Sequence, residues 1–294
     1  MPNYTFFRMK YLLPVLLALC ACTPTPITPS PADYQRGSAA DKALMAEMPD
    51  SLTMANHLPV MLRLLGDNQP TVRHIGILVY EGVNDLDVMG PRYVLGQAVG
   101  ATTRLIAIEP GNVRTVMGVE LVPDTVIDSV DQLDILVVPG GFRGTIAAAY
   151  DECLHDWIRR IDAGTTYTAG VCTGAWILGG AGLLAGKRAT TNWYRAEEML
   201  TKYGATFTDE RYTRDGKLWT SAGVTAGMDM SLALLAELYG ERYAQGIMLD
   251  MEYDPAPPLE GGSPERTGEA VEWMMRGMYD AGVLPAIAAA EAGR

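Results

Sequence analysis

The sequence predicts a three-layer α/β sandwich: a mainly parallel sheet with helices on both faces. Three observations lead there. Apolar runs of strand length occur at Val72–Tyr80, Thr103–Ile108, Leu133–Val138 and Thr165–Val171, as expected for strands buried on both sides. Helix-like stretches follow at Asp85–Val99, Asp151–Ala163 and Ala175–Leu184, which gives the alternation of a covered sheet. Three features fall at the carboxyl edge, where such sheets bind ligands: the start of the Asp87 helix, the Gly140-Gly141 turn, and Cys172.

The N-terminus reads as an address. Arg8 and Lys10 precede an apolar run, Tyr11–Ala21, that is too short to span a bilayer and ends at Cys22. Leu19-Cys20-Ala21-Cys22 resembles a bacterial lipobox, which makes residues 1–21 a signal peptide and Cys22 the lipidated residue. Residues 22–38, beginning Thr23-Pro24-Thr25-Pro26, form a Pro/Thr-rich tether that cannot pack. The expectation is a lipoprotein of the cell envelope facing the periplasm, held to the membrane by this anchor, or otherwise a protein secreted to the periplasm. Residues 39–70 read as a helical extension interrupted near Pro49 and Pro59.

The body then follows in order. Glu81–Asn84 is a loop, and Asp85-Leu86-Asp87 opens a helix. Val113–Val126 is a hairpin-like excursion between strands. Gly186–Arg188 is a loop, Arg195–Tyr203 is helical, and Tyr212–Thr220 is a hairpin turning at Asp215-Gly216. Thr225–Leu238 is a strongly apolar helix, residues 71–266 make one domain, and residues 267–294 a helical tail.

Composition narrows the function. With 48% hydrophobic and 20% charged residues the 294-residue chain is globular, and a net charge of −12 argues against a nucleic-acid surface. Of 4 cysteines, only Cys153 and Cys172 lie in the body, which is no disulfide framework. With 3 histidines and no Cys-x-x-Cys spacing, a zinc site is not expected.

Cys172 sits where a β-rich run meets a Gly-rich helical run. There the first amides of the helix are unpaired and its dipole is positive, which favours a thiolate nucleophile. The alternative is a small buried thiol that only packs. Asp87 is either the acid/base partner of that thiol or a first-turn acid stabilising its helix. Gly140 and Gly141 either present backbone N–H groups to a bound atom or simply turn the chain. Thr173 supplies a hydroxyl but no base, and no histidine lies near the corner, so a Cys-His triad is poorly supported.

Several segments carry a resemblance: Leu86-Asp87-Val88-Met89-Gly90-Pro91, Val138-Pro139-Gly140-Gly141, Val171-Cys172-Thr173-Gly174-Ala175, Thr220-Ser221-Ala222-Gly223-Val224 and Glu252-Tyr253-Asp254-Pro255. From about Val72 to Arg266 the chain resembles the ThiJ/PfpI superfamily, and within it looks most like isonitrile hydratases. The resemblance implies a flavodoxin-like fold with a nucleophile elbow, a small-molecule substrate, no cofactor and a homodimer. It makes Cys172 the nucleophile, Asp87 its proton partner and Thr173 a supporting residue. Gly140, Gly141 and Asn192 would bind substrate or developing charge. The implied reaction adds water to an isonitrile to give an N-substituted formamide. Alternatives within the superfamily are a glyoxalase-like or other carbonyl-detoxifying hydrolase, or a non-enzymatic periplasmic ligand or redox sensor. The ligand-sensing half of AraC-type regulators is also similar, but Thr267–Arg294 is too short for their DNA-binding module. Close relatives read Thr-Thr-His-Trp where this chain reads Thr190-Thr191-Asn192-Trp193, so its chemistry must proceed without that imidazole.

Overall fold

The computed structural model describes residues 37–64 and 71–293. The expected signal segment, Cys22 and most of the Pro/Thr tether lie outside the described residues. Two compact units divide between Arg63 and Leu64. The N-terminal unit carries α1 (Ala39–Ala46) and α2 (His57–Leu64), whose last residue lies at the division. Ser38 caps α1 by accepting from Asp41 N at 3.1 Å, and the Asp41 carboxylate returns to Ser38 N at 3.0 Å. Pro59 does not interrupt the second helix as expected. It occupies the first turn of α2, where an N–H has no intrahelical partner to lose.

In the second unit the chain runs β1 (His74–Val79), α3 (Asp85–Leu95), β2 (Thr102–Ala107), β3 (Val113–Arg114), β4 (Glu120–Leu121), β5 (Thr125–Val126) and β6 (Ile135–Val138). It continues through α4 (Arg143–Ala149), α5 (Glu152–Asp162), β7 (Tyr167–Val171), α6 (Gly174–Gly180), β8 (Arg188–Ala189), α7 (Ala196–Lys202) and β9 (Thr206–Phe207). The hairpin β10 (Tyr212–Asp215) and β11 (Leu218–Ser221) follows, then α8 (Ala226–Tyr239), α9 (Glu241–Asp250) and α10 (Glu269–Ala292).

Seven strands form one sheet in the order β10-β11-β7-β6-β1-β2-β5, parallel throughout except for β10. Counting only the long parallel strands β1, β2, β6, β7 and β11, the order is 2-1-3-4-5, the flavodoxin-like arrangement. Its core is the pair of central strands: β6 is buried along its whole length, and β1 everywhere but its first residue. Helices α3, α8 and α9 pack together as one layer; α4, α5, α6 and α10 make the other.

The expected excursion at Val113–Val126 divides in two. β3 and β4 pair as a small antiparallel hairpin, while β5 joins the edge of the main sheet beside β2. Helix α4 had no expectation in the sequence, because Arg143–Ala149 is short and lacks a side-chain cap. Helix α10 is a 24-residue element packed on α4.

In this topology the strand order reverses between β1 and β6. The loops leaving the carboxyl ends of those strands part to opposite faces, which opens a crevice. Asp87 follows β1 and Gly140 follows β6, with Cys172 one strand further along at the end of β7.

Candidate active site

The turn after β1 divides its polar work among three residues. Asn84 caps α3, its Oδ1 accepting from Leu86 N at 3.0 Å and Asp87 N at 3.4 Å. Asp85 holds the β3–β4 hairpin, accepting from Thr115 Oγ1 at 2.6 Å and Met117 N at 3.2 Å. Asp87 therefore does not cap the helix. Its carboxyl is 0% exposed, with Oδ2 accepting from Gly140 N at 3.1 Å. Oδ1 meets no donor of ordinary hydrogen-bond geometry. The Cys172 thiol still lies close enough for each group to shift the ionisation of the other. The contact is thus a loose one, of the kind that tightens when a substrate arrives.

Cys172 stands at the corner between β7 and α6 with φ +57°, the left-handed region that costs a non-glycine residue about 1–2 kcal/mol. The surroundings fix this conformation. Its amide donates to Ser221 O and Ala222 O, each at 3.1 Å, and its carbonyl accepts from Thr191 Oγ1 at 2.8 Å. The side chain is 5% exposed. The backbone amides of Thr173 and Val224 point at the sulfur and stabilise its anion.

The sequence reading expected these helix-terminal amides to lower the thiol pKa. Burial reverses that expectation: desolvation pushes the thiol well above its ordinary value, and the neighbouring Asp87 pushes it further. Asp87 is itself raised from 3.8 to about 7 by burial, against the pull of the Cys172 and Gly140 hydrogen bonds. Two groups that each resist ionisation next to the other behave as a single acid holding one proton between them near neutral pH.

The amides of the β6-turn glycines have partners within the protein. The Gly140 amide is engaged by Asp87, and the Gly141 amide donates to Thr173 Oγ1 at 3.0 Å, so neither is free for a bound atom. They serve instead as close-approach points. A Cβ on Gly140 would lie 2.5 Å from Thr173 Oγ1 and 2.6 Å from Thr173 N. The Thr173 hydroxyl also donates to Gly141 O at 3.0 Å, so this side chain staples the β6 turn to the elbow. The free donors around the sulfur are the amides of Thr173 and Val224.

Asn192 is buried, and its Oδ1 accepts from Tyr194 N at 3.0 Å. The Asn192 side chain also hydrogen-bonds to Tyr279, whose hydroxyl feels the charge of both Cys172 and Asp87. Sequence reasoning missed Tyr279 and the other supports. Tyr80 lies beneath the site, its hydroxyl donating to Pro139 O at 2.8 Å and lying 2.9 Å from Thr145 Oγ1. Thr191 could have been noticed as the second of two threonines beside Asn192, but nothing local marks Tyr279, which arrives from α10. Among the described residues no group of three or more His, Cys, Asp or Glu side chains is arranged to hold a metal.

Comparison with known proteins identifies the family. The DJ-1/PfpI family matches residues 73–237, a span containing Asp87, Gly140, Gly141, Cys172, Thr173 and Asn192. An isonitrile hydratase of Pseudomonas putida is 41% identical over 197 residues, covering 67% of this chain and 86% of that protein. An HTH-type transcriptional regulator of Pseudomonas aeruginosa, CdhR, is 31% identical over 141 residues, 48% of this chain and 41% of the regulator. Among solved structures, a ThiJ/PfpI family protein from Pseudomonas syringae superposes with a TM-score of 0.72 at 32% identity, covering 83% of this chain and 97% of the other. The parallel sheet in 2-1-3-4-5 order, the left-handed cysteine at its edge and these matches have one reading: the chain belongs to the DJ-1/PfpI family.

Proposed function

We propose that the protein is a cysteine-dependent hydratase that adds water to small isonitriles, giving N-substituted formamides. The observation that carries this reading is the buried pair of Cys172 and Asp87, two groups raised by burial and each acting on the other's ionisation. A cysteine only 5% exposed suits an electrophile whose reacting atom is terminal and unhindered, and the isonitrile carbon is such an atom. The likeness to the Pseudomonas putida isonitrile hydratase supports the choice of substrate class.

The reaction then runs through one covalent intermediate. As the sulfur attacks the terminal carbon of R–N≡C, the thiol proton passes to Asp87, an S–C bond forms, one C–N π pair becomes a lone pair on nitrogen, and the carbon keeps its own lone pair. That carbon takes the proton back from Asp87, leaving the thioimidate R–N=CH–S bound to Cys172. Asp87, again a carboxylate, draws a proton from water as the water oxygen adds to carbon, and the nitrogen gains the hydrogen. Collapse of R–NH–CH(OH)–S breaks the C–S bond, sends that pair to sulfur, and releases R–NH–CHO with the thiol reprotonated through Asp87. The amides of Thr173 and Val224 stabilise the sulfur whenever it carries charge.

Incubating the mature protein with aliphatic and aryl isonitriles and following N-formamide by mass spectrometry tests the reading. Formamide that disappears with Cys172→Ala supports it, and formamide no greater than the Cys172→Ala background rejects it. Two further proposals accompany it: lipidation at Cys22, which would hold the enzyme at the periplasmic face of a membrane, and pairing of two copies. The pairing surface is the outward face of α3, where Leu86, Met89 and Tyr93 are exposed at helical spacing.

A further inference from the structure

Helix α10 packs on α4 and is fastened on several sides. Glycine at 282 lets Phe142 approach, since a Cβ there would lie 2.2 Å from the Phe142 ring. The Asp280 carboxylate accepts from Tyr194 Oη at 2.7 Å and Arg195 Nη2 at 3.2 Å. Glu291 accepts from Tyr150 Oη at 3.0 Å and Lys202 Nζ at 2.6 Å. Between these ties sits Tyr279. Its ring stacks on Tyr194 with centroids 4.9 Å apart and meets the edges of Trp193 and Phe142, each at 5.5 Å. A side chain clamped by three aromatic rings has one position for its hydroxyl.

Tyr279 lines two cavities. One, of about 450 Å³, is lined by Asn84, Gly141, Phe142 and Tyr279. The other, of about 760 Å³, is lined by Asn192, Trp193, Gly223, Val224 and Tyr279 among others. Tyr279 is common to both. The hydroxyl is oriented by Asn192. Because Asn192 Oδ1 already accepts from Tyr194 N, the amide offers Tyr279 its N–H, and the phenolic oxygen is the acceptor. The phenolic hydrogen is then free for a ligand. Burial and the nearby Cys172 and Asp87 hold the Tyr279 pKa above 10.0, so this hydroxyl keeps its proton.

We propose that Tyr279 is a catalytic hydrogen-bond donor, its hydroxyl directed by Asn192 at the nitrogen of the thioimidate formed on Cys172. This rests on the isonitrile reading. As water adds to carbon, the C=N π pair moves to nitrogen and makes it a stronger acceptor. The Tyr279 O–H strengthens its bond to that nitrogen at that moment, while the nitrogen takes the proton that Asp87 has drawn from the water. Tyr279 is neutral before and after. Asn192 stands at the sequence position where relatives carry a His, and with Tyr279 it supplies a donor that stays protonated at neutral pH.

Tyr279→Phe keeps the ring stack and removes only the hydroxyl, and matching thermal melts would establish that the fold is kept. With isonitrile as substrate, kcat falls about 10–100-fold while KM stays near the wild-type value, because the bond strengthens in the transition state. Asn192→Ala, which leaves the hydroxyl unaimed, gives a smaller fall in kcat. A second arm does not depend on isonitrile turnover. An activated aryl nitrile captures a thiol as a thioimidate, with the C≡N π pair and a proton going to nitrogen, and intact mass reports the adduct. Tyr279→Phe slows this capture by a similar factor, whereas alkylation by iodoacetamide, which needs no donor to nitrogen, is unchanged. Nitrile capture slowed in a protein that hydrates no isonitrile would reject the hydratase and keep the donor. Isonitrile turnover or nitrile capture at wild-type rate in Tyr279→Phe overturns the donor, as does a wild-type protein that captures no nitrile.

Discussion

The Gly140 amide donates to Asp87 Oδ2 at 3.1 Å, tying the chain after β6 to the chain after β1 at the point where the strand order reverses. The bond puts a carboxyl at the bottom of the crevice, two strands away from the left-handed cysteine. Its consequences reach stability, pH dependence and the tolerance of the turn to substitution.

Burial raises Asp87 from 3.8 to about 7, so between those values the unfolded chain has lost a proton that the folded chain keeps. Folding stability is then highest below about pH 4 for this group and is lost as pH rises toward 7. The loss is on the order of 4 kcal/mol. Asp87→Asn removes the penalty, and at pH 8 it is more stable than wild type by about 1–3 kcal/mol. Urea denaturation at pH 4 and pH 8 measures this directly. Equal stability of variant and wild type at pH 8 would show that Asp87 is not desolvated in solution.

The same group sets the acidic limb of activity. Below pH 7 the pair holds two protons and offers neither thiolate nor base, so kcat/KM with an isonitrile rises about tenfold per pH unit up to about 7 and then levels. Asp87→Asn has less than about a thousandth of wild-type kcat and shows no such limb. A wild-type profile flat from pH 5 to 8 would separate Asp87 from the chemistry.

Gly140→Ala drives a methyl group to 2.5 Å from Thr173 Oγ1 and 2.8 Å from Gly174 N, both fixed parts of the elbow. The variant loses about 2–3 kcal/mol of stability and most of its activity, because the turn and elbow cannot both keep their positions. Thermal denaturation and thiol alkylation of the purified variant check this. A fully stable, reactive Gly140→Ala would show that the two loops are looser than their hydrogen bonds suggest.

Metabolic labelling with a radioactive fatty acid in a bacterial host tests the anchor. Label that vanishes with Cys22→Ser places the lipid on Cys22. Label that persists moves the modification to Cys20, and none in either protein removes the lipoprotein proposal.

Light scattering after gel filtration tests the pairing of copies. The wild-type protein has the mass of two chains, and Met89→Glu, which sets a charge in the middle of the Leu86, Met89 and Tyr93 face, shifts it to one. A dimer undisturbed by Met89→Glu would place the interface on another surface.

Much of this fold was legible in the chain. Continuous apolar runs identify buried parallel strands because such strands face helices on both sides, and the Asp215-Gly216 turn marks its hairpin by local chemistry alone. The elbow was legible for the same reason: a cysteine between a strand-like run and small residues has little choice of conformation. Helix α4 was not, since seven residues without a side-chain cap carry too weak a period to be read. The state of the thiol was misread, because the helix terminus is visible in the sequence and the burial that outweighs it is not.

By itself, then, the sequence determined the sheet, the corner at Cys172 and the residue types gathered at its edge. Only the tertiary structure decided how those residues are used. It turned the Gly140 and Gly141 amides inward to Asp87 and Thr173, and it raised both members of the buried pair. It also carried Tyr279 from the last helix to Asn192. The physical reason is the range of the interactions. Backbone conformation and strand burial follow from neighbours along the chain. Desolvation and hydrogen-bond partnership depend on which distant segments pack around a group, and a local pattern does not contain that.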